Sequence, residues 1–469
     1  MPDSTMGTPG VGQRLPPRVP GLPLVGNLPR LLAQRFDFLE EARRQAGELF
    51  LLDLGLGKAV ALCHPRHAQH VLVDRARNYT KGGPMWDSIR SFLGNGLPVS
   101  EGEFWKRQRR MIQPAFHHQR LVSLIGEMVE AIDACLEEAW EPAARTGEPF
   151  DAAKAFTRVT MNVLVRALFG SGLEPRETEQ VAQAFTYVNA YMMKGLVTNS
   201  LPPWVPVPGR ARYREAIRTI DEIVFQVLAR GRRSADTGDS LISLLLHATD
   251  EETGKQMTDA QLRDEAVALF VAGYETTAAS MAWAFHFLSV QPETAQRLHA
   301  EVDAVLGSRK PGFEDLRQLT YTRGVLQEAL RMYPPSYWIP RTAEEDDELD
   351  GYRIPAGTQM AVLTYVLHHH PEIWESPQRF EPERFTPERS AGRHKHAWIP
   401  FGSGQRQCIG KEFSLMEGQL ILARVAQRFQ ASAIAGRMPQ VQLGGSLNTR
   451  NGVWVRLKQR QARVSVPLD

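Results

Sequence analysis

The chain has 469 residues, of which 43% are hydrophobic and 23% are charged, and its formal net charge at pH 7 is +2. This composition excludes an intrinsically disordered chain, and the small net charge gives no indication of nucleic-acid binding. No stretch approaches the roughly 20 apolar residues of a membrane span. Three cysteines are too few for a disulfide framework, so we expect a cytoplasmic protein without membrane association.

The predicted elements describe a mainly α-helical protein with small β-sheet regions. Residues 1–20 are rich in Pro and Gly and predict a flexible lead-in, and residues 21–469 are predicted to form a single domain. Two apolar runs around a Gly55-Leu56-Gly57-Lys58 turn predict a β-hairpin over residues 47–63. From about residue 104 to 335, apolar residues recur at spacings of three and four, which predicts helices, including a short one over Leu241–His247.

The longest helical signal covers Thr258–Gln291, and Thr258 with Gln261 predicts a capping box at its start. After Pro334-Pro335 the pattern changes to short strands and turns, and we interpret the acidic run Glu344–Asp350 as a solvated edge. Helix is predicted again after Cys408, through about Ala433, and short strands complete the chain.

Cys408 lies in the segment Phe401-Gly402-Ser403-Gly404-Gln405-Arg406-Gln407-Cys408-Ile409-Gly410, directly before a predicted helix. Glycines allow tight turns and a close approach of the backbone to a flat ligand. A cysteine near a helix N-terminus is stabilised as the thiolate. Cys63 and Cys135 lack this setting, and we interpret them as ordinary buried cysteines.

This segment resembles the haem-binding signature of the cytochrome P450 superfamily at every defining position. Three further family motifs occur earlier in the chain in the expected order and spacing, so the resemblance extends over roughly residues 20–460. It implies the cytochrome P450 fold, with haem b (iron protoporphyrin IX) between the long central helix and the Cys-loop helix. It also implies that Cys408 binds the iron and that Phe401, Gly402 and Gly410 contact the cofactor.

The second motif is Ala272-Gly273-Tyr274-Glu275-Thr276-Thr277, in the middle of the long predicted helix. Alone, it could be an ordinary polar helix face. The resemblance implies an oxygen-activation site, in which Thr276 hydrogen-bonds dioxygen or a nearby water and Glu275 relays protons. Glycine inside a helix costs about 1 kcal/mol relative to alanine, which suggests a steric or functional reason for Gly273. The small residues Ala272 and Gly273 would leave room for the cofactor.

The third motif is Glu328-x-x-Arg331, a spacing that is common on any helix. The resemblance implies that Arg384 joins this pair, so that a buried carboxylate is shared between two guanidinium groups. We assign this group of three residues a structural role.

The fourth motif, Trp105-x-x-x-Arg109, places an indole N–H and a guanidinium on one helix face. An amphipathic basic helix is the alternative. The resemblance implies that Trp105, Arg109 and Arg406 bind the haem propionates, and that Arg341 is a further propionate ligand.

The implied activity is that of a monomeric haem-thiolate monooxygenase. It would insert one oxygen atom from O2 into a lipophilic small molecule, such as a fatty acid, terpenoid or polyketide, by hydroxylation or epoxidation. No fused reductase is expected after Cys408, so electrons would come from a ferredoxin or flavodoxin with an NAD(P)H-dependent reductase. Lys106, Arg107 and Arg110 are a candidate docking face for this donor, with a solvated helix face as the alternative.

Two other functions remain open: a peroxide-driven peroxygenase of the same fold, and a non-catalytic haem-thiolate sensor or carrier. The stretch Tyr79–Ser100 and the region around Tyr187 and Tyr191 resemble the family's variable, pocket-forming segments. Their apolar and aromatic side chains favour a lipophilic ligand, although many of them could be ordinary core residues.

Overall fold

The structure, a computed structural model, describes residues 14–460 except for residues 56, 171–174, 199–203 and 234–239. The chain divides into two units. The first unit comprises residues up to 83, residues 336–379 and residues 391–408. The second comprises residues 84–335, residues 380–390 and the chain from residue 409 onward. Among the described helices, none is both long and apolar enough to cross a membrane.

The first unit is built around a mixed sheet. Its strands, in spatial order, are Leu49–Asp53, Lys58–Leu62, Gln359–Val362, Ile339–Ala343 and Tyr79–Thr80. The first two form the predicted hairpin, with Leu49 opposite Leu62, and the second pairs in parallel with the third. A two-stranded sheet, Asp347–Leu349 with Tyr352–Ile354, and short helices complete this unit: Leu28–Gln34, Phe36–Ala46, Pro65–Gln69, His70–Asp74, Thr364–His368 and Gly404–Arg406.

The start of the described chain is attached to this sheet. Residue Leu51 donates its N–H to the Pro17 carbonyl (2.8 Å) and accepts from the Val19 N–H (3.1 Å). The last part of the predicted flexible lead-in, which covers residues 1–20, is therefore hydrogen-bonded to the sheet. Its first part, residues 1–13, lies outside the described residues. The prediction of a single domain stays a prediction.

The acidic run Glu344–Asp350 is exposed at most of its acidic positions, as interpreted, but the side chain of Asp347 is only 9% exposed. A carboxylate oxygen of Asp347 lies 2.8 Å from His70 Nε2 and accepts a hydrogen bond from the Tyr79 hydroxyl at 2.8 Å. Asp350 lies 2.6 Å from His67 Nε2. These carboxylates connect the two-stranded sheet to the rest of the first unit.

The second unit is mainly helical. Its helices, in chain order, are Pro84–Leu93, Gly102–Ile112, Gln113–Phe116, His118–Ser123, Ile125–Cys135, Leu136–Trp140, Glu141–Thr146, Ala152–Phe169, Pro175–Thr198, Arg210–Arg233, Leu241–His247, Asp259–Val290, Pro292–Leu306, Phe313–Gln318, Thr320–Met332, Pro382–Phe385, Pro387–Ser390 and Lys411–Arg428. We call Asp259–Val290 the long helix and Lys411–Arg428 the Cys-loop helix. The predicted mainly α-helical fold with small sheets is confirmed.

The long helix forms the centre of the second unit. The predicted capping box is present, because Gln261 N donates to Thr258 Oγ1 (3.3 Å) and Thr258 N donates to Gln261 Oε1 (2.9 Å). Buried residues occur on every side of the helix. It packs against several helices, among them Ala152–Phe169, Thr320–Met332 and the Cys-loop helix, so neighbours surround most of its circumference.

The Cys-loop helix ends at Arg428, five residues earlier than predicted. Phe429–Ala433 is instead a strand that pairs with Trp454–Gln459, which in turn pairs with Phe150–Asp151. The buried Phe429 ring lies 5.9 Å from the Trp140 ring. Strand pairing and this packing override the helical pattern. A further pair of short strands is Val441–Gln442 with Asn448–Thr449.

Candidate active site

Backbone hydrogen bonds shape the loop that carries Cys408. Gly402 N donates to Ile399 O (3.0 Å), and Cys408 N donates to Phe401 O (2.9 Å). Gly404 has a φ of 69°, and a Cβ atom there would overlap the carbonyl oxygen of Leu72. Glycine is therefore required at 404, both for the positive φ and for the close approach of two backbones.

The three thiols differ in exposure. Cys408 is exposed, whereas Cys63 and Cys135 are buried. Burial raises the pKa of Cys135 to about 11 and raises the pKa of Cys63 well above its ordinary value. A thiolate ligand must be accessible and deprotonated, so Cys408 is the thiol that fits this role.

Two histidines to which the sequence interpretation gave no role hold this loop. The N–H of Ile399 donates to Nε2 of the buried His368 at 2.9 Å. The Ser403 hydroxyl lies 2.9 Å from Nδ1 of the buried His396. Neither role could be predicted from neighbouring residues in the sequence, because each histidine meets its partner only in the folded loop. Both act as positioning residues for the segment that leads to Cys408.

The predicted propionate ligands occur as one pair in each unit. In the first unit, Arg341 is buried in the strand Ile339–Ala343, and Arg406 is partly buried in the turn Gly404–Arg406. In the second unit, Trp105 is buried and Arg109 is partly buried on the helix Gly102–Ile112. All four side chains carry N–H donors suited to a carboxylate. Their role as propionate ligands stays a prediction.

The candidate docking face on the same helix is largely neutralised. Arg110 pairs with Asp250 (3.0 Å) and Glu252 (2.8 Å). Lys106 pairs with Glu103 one turn earlier, and Arg107 lies over the Phe104 ring. These contacts favour the simpler interpretation, a solvated helix face.

Thr276 and Glu275 lie in an uninterrupted part of the long helix. The Thr276 hydroxyl donates to the Ala272 carbonyl at 2.7 Å, the usual position for a threonine in a helix. Ala272 is exposed, and Glu275 and Thr276 are partly buried. The hydroxyl oxygen of Thr276 can still accept a hydrogen bond, which the predicted role in proton transfer requires.

Gly273 has a packing reason that the sequence interpretation did not foresee. A Cβ atom at this position would lie 2.8 Å from a methyl carbon of Leu164, on the helix Ala152–Phe169. The space beside Gly273 is therefore occupied by Leu164. Helix packing accounts for this glycine, and its contact with the cofactor stays a prediction.

A buried polar group links the long helix to the Cys-loop helix. Thr277 Oγ1 lies 3.2 Å from Ser414 Oγ. Glu417, one turn further along the Cys-loop helix, is 1% exposed. Burial raises the pKa of Glu417 to about 8, although a hydrogen bond with Thr277 opposes this shift. The carboxyl group is thus mainly protonated at neutral pH and holds a proton beside the residue that follows Thr276.

Because Glu417 is buried, we expect the free energy of unfolding to depend on pH. Its pKa is about 8 in the folded chain and near its ordinary value of 4.5 when unfolded, so between these values the folded chain binds the extra proton. The free energy of unfolding should therefore fall as the pH rises from 5 to 8, by on the order of 3 kcal/mol for this group. A Glu417→Gln variant should lose this contribution, as measured by urea unfolding at several pH values.

The matched control for this prediction is Glu412→Gln, because Glu412 is an exposed glutamate on the same helix. The free energy of unfolding of this control variant should depend on pH in the same way as that of the wild type. If the Glu417→Gln curve ran parallel to that of the wild type, the buried carboxyl would not hold the proton.

Glu328, Arg331 and Arg384 form a buried ionic group. Arg331 donates through Nε to Glu328 Oε2 (2.7 Å) and through Nη2 to Oε1 (2.8 Å). Arg384 Nε donates to the same Oε1 at 3.2 Å, and so does the Glu381 N–H at 2.9 Å. Glu328 and Arg331 are 0% exposed. This group fastens residues 381–384 to the helix Thr320–Met332.

Comparison with known proteins agrees with this fold. The sequence matches the Cytochrome P450 family over residues 16–454. It is 37% identical over 421 residues to cyclooctat-9-en-7-ol 5-monooxygenase of Streptomyces melanosporofaciens, covering 88% of this chain and 89% of that protein. It is 31% identical over 412 residues to pentalenene oxygenase of Streptomyces avermitilis, covering 88% and 90%. The crystal structure of the cytochrome P450DA heme domain superposes with a TM-score of 0.87 at 27% identity, covering 97% of this chain and 99% of that chain.

The chain therefore belongs to the cytochrome P450 family. It is an oxidoreductase of the monooxygenase class, and its cofactor is haem b. The residues present fit this cofactor, because the exposed thiol at position 408 follows a glycine turn that lets the backbone approach a flat ring.

Proposed function

We propose that this protein is a haem-thiolate monooxygenase that inserts one oxygen atom of O2 into a cyclic terpenoid. The exposed Cys408 thiol is the observation that carries the haem-thiolate part. The substrate class is supported by the relatives named for the oxygenation of cyclooctat-9-en-7-ol and pentalenene, which align over most of their length.

In this proposal, each predicted site residue has a defined task. Cys408 supplies the thiolate ligand, and Phe401, Gly402, Gly410, Ala272 and Gly273 are the residues proposed to contact the cofactor. Trp105, Arg109, Arg341 and Arg406 donate hydrogen bonds to its carboxylates. When bound, the haem supplies the oxygen-insertion chemistry, which a thiolate ligand favours.

Proton delivery is assigned to the chain itself. Glu275 takes up protons from solvent, and Thr276 passes them on through its hydroxyl group. Glu417, which stays protonated near neutral pH beside Thr277, is a nearby store of a proton. Electrons come from a separate ferredoxin or flavodoxin with an NAD(P)H-dependent reductase. A monomeric state and a cytoplasmic location stay predictions.

The test is product formation from cyclooctat-9-en-7-ol with 18O2, NADPH and a surrogate ferredoxin and reductase. We expect one 18O atom in each product molecule, detected by mass spectrometry. A Thr276→Val variant should lower the product formed per NADPH by up to about 100-fold, because the hydroxyl group is lost. The control, Thr276→Ser, keeps a hydroxyl group and should retain most of the coupling.

Three outcomes would contradict the proposal. Product formed with hydrogen peroxide but not with O2 and electrons would identify a peroxygenase. Tight binding of the terpenoid without any product would favour a sensor or carrier. Equal coupling in the Thr276→Val and Thr276→Ser variants would remove Thr276 from proton delivery.

A further inference from the structure

Two consecutive carboxylates of the long helix bind the backbone of a neighbouring segment. Residues Gly94–Leu97 begin the connection between the helix Pro84–Leu93 and the helix Gly102–Ile112. Asn95 N donates to Asp264 Oδ2 at 2.8 Å, and Leu97 N donates to Glu265 Oε2 at 2.9 Å. The segment is therefore attached to the long helix by hydrogen bonds from its main chain.

The two glycines of the segment allow this close contact. Gly94 has a φ of 64°, and a Cβ atom there would overlap the Asp264 carboxylate. A Cβ atom at Gly96 would lie 2.8 Å from the Cβ atom of Ala268. The backbone of the segment thus lies directly on the surface of the long helix.

Glu265 also binds a third element. Gln108, on the helix Gly102–Ile112, donates through Nε2 to Glu265 Oε1 at 3.1 Å. Both side chains are 0% exposed. One buried carboxyl group therefore connects the long helix, the segment Gly94–Leu97 and the helix that carries Trp105 and Arg109.

The contact lies on the helix face that carries Thr276. Glu265 precedes Thr276 by eleven positions, which is three turns of an α-helix and about 16 Å along its axis. Ala268, which touches Gly96, lies one turn after Glu265 on the same side of the helix. The segment Gly94–Leu97 therefore covers the N-terminal part of the face on which the proposed chemistry takes place.

We infer that Glu265 is a positioning residue that closes the segment Gly94–Leu97 over this face and thereby sets the affinity for the substrate. This inference rests on the proposed function, because it assigns the segment to the wall of the substrate pocket. Substrate binds tightly only when the segment is closed, so the apparent dissociation constant rises as the closed fraction falls. The rate of oxygen insertion in the closed state does not depend on Glu265.

The charge around Glu265 makes this closure sensitive to pH. Burial raises the pKa of Glu265 to about 7; the hydrogen bonds from Leu97 and Gln108 oppose this shift, and Asp264 adds to it. The neighbouring cation Arg263 is paired with Asp221 (2.6 Å) and Asp264 (3.0 Å). The segment contributes backbone N–H groups, and the helix Gly102–Ile112 contributes the neutral Gln108.

Because an open, solvated Glu265 would ionise near its ordinary pKa of 4.5, the closed state binds a proton that the open state releases. Acidification therefore favours closure, and alkaline pH favours opening. Glutamine at 265 has the shape of the protonated carboxyl group and should keep the segment closed at every pH.

Hydrogen exchange of the haem-loaded full chain, followed by mass spectrometry of the peptide that contains residues 94–97, tests the closure. After correction for the intrinsic rate, exchange in the wild type should be about 10-fold faster at pH 8 than at pH 6. Glu265→Gln should show the slow rate at both pH values, and Glu265→Ala the fast rate at both. The control Asp259→Asn, an exposed position on the same helix, should follow the wild type.

Ligand binding tests the functional consequence. The probe is 4-phenylimidazole, an apolar imidazole whose binding to the haem protein is read from the absorption spectrum. Glu265→Ala should raise its dissociation constant about 10-fold, and Glu265→Gln should restore it. With a terpenoid substrate that the enzyme oxygenates, Glu265→Ala should raise KM, while kcat stays within about 2-fold of the wild-type value.

Unchanged exchange of residues 94–97 in Glu265→Ala would overturn the inference. A loss confined to kcat, or a Glu265→Gln variant that behaves like Glu265→Ala, would overturn it as well. If Glu265→Ala did not fold, the comparison of the wild type with Glu265→Gln would test the inference. Exchange that did not depend on pH in the wild type, or that depended on pH equally in Glu265→Gln, would then overturn it. Hydrogen exchange is measured without turnover. If the proposed function were wrong but this inference were right, residues 94–97 would show the expected exchange rates and no oxygenated product would form.

Discussion

A Glu328→Ala variant is expected to have a free energy of unfolding about 3–5 kcal/mol lower than that of the wild type. The substitution would leave Arg331 and Arg384, which are 0% and 2% exposed, without the carboxylate that both of them contact. It would also remove the acceptor of the Glu381 N–H, so residues 381–384 would lose their attachment to the helix Thr320–Met332. Urea unfolding followed by far-UV circular dichroism measures this loss.

The matched control is Glu314→Ala. Glu314 forms an i,i+3 pair with Arg317 at 3.5 Å, and its side chain is 75% exposed. Exposed pairs of this kind contribute roughly 0–1 kcal/mol, so the control should differ little from the wild type. If Glu328→Ala does not accumulate as folded protein, Glu328→Gln, which keeps one acceptor oxygen, should fold with intermediate stability. A Glu328→Ala variant as stable as the control would show that the group of three residues does not hold this region together.

Elements with local signals could be predicted from the sequence. The hairpin over residues 47–63, the helix Leu241–His247 and the capping box at Thr258 each depend on residues within a few positions of one another. The Cys408 segment was recognisable for the same reason, since its glycines are adjacent in the chain. Signals of this kind can be read without knowing which distant residues will come into contact.

Features that depend on distant partners could not be predicted. The strand Phe429–Ala433 continues a helical pattern, and only its pairing with Trp454–Gln459 makes it a strand. The packing of Gly273 against Leu164, more than a hundred positions earlier, could not be seen in the sequence. The partners of Arg110, Asp250 and Glu252, are equally remote.

The buried acids Glu265 and Glu417 were missed for a related reason. In the sequence, each is a glutamate in a helix with both polar and apolar neighbours, and glutamates in such helices are usually exposed. Their burial follows from the packing of neighbouring elements against the long helix and the Cys-loop helix. Only the folded structure shows the burial that raises the pKa of Glu265 to about 7 and that of Glu417 to about 8.

A Cys408→Ser variant is expected to lose thiolate ligation of the haem and, with it, the monooxygenase activity. A serine hydroxyl is far less acidic than a thiol and a much weaker donor to iron, so the electronic contribution of the thiolate disappears. The substitution removes no packing of the core, because Cys408 is exposed. We therefore expect a folded protein with altered cofactor binding. The control is Cys135→Ala, which changes a buried thiol in the second unit and should leave the cofactor spectrum as it is.

The carbon monoxide difference spectrum of the reduced, purified protein tests this central claim most directly. A strongly red-shifted Soret band in the wild type and in Cys135→Ala, absent in Cys408→Ser, is the predicted result. A haem-free wild type, a band typical of histidine ligation, or a red-shifted band that persists in Cys408→Ser would contradict thiolate ligation by Cys408.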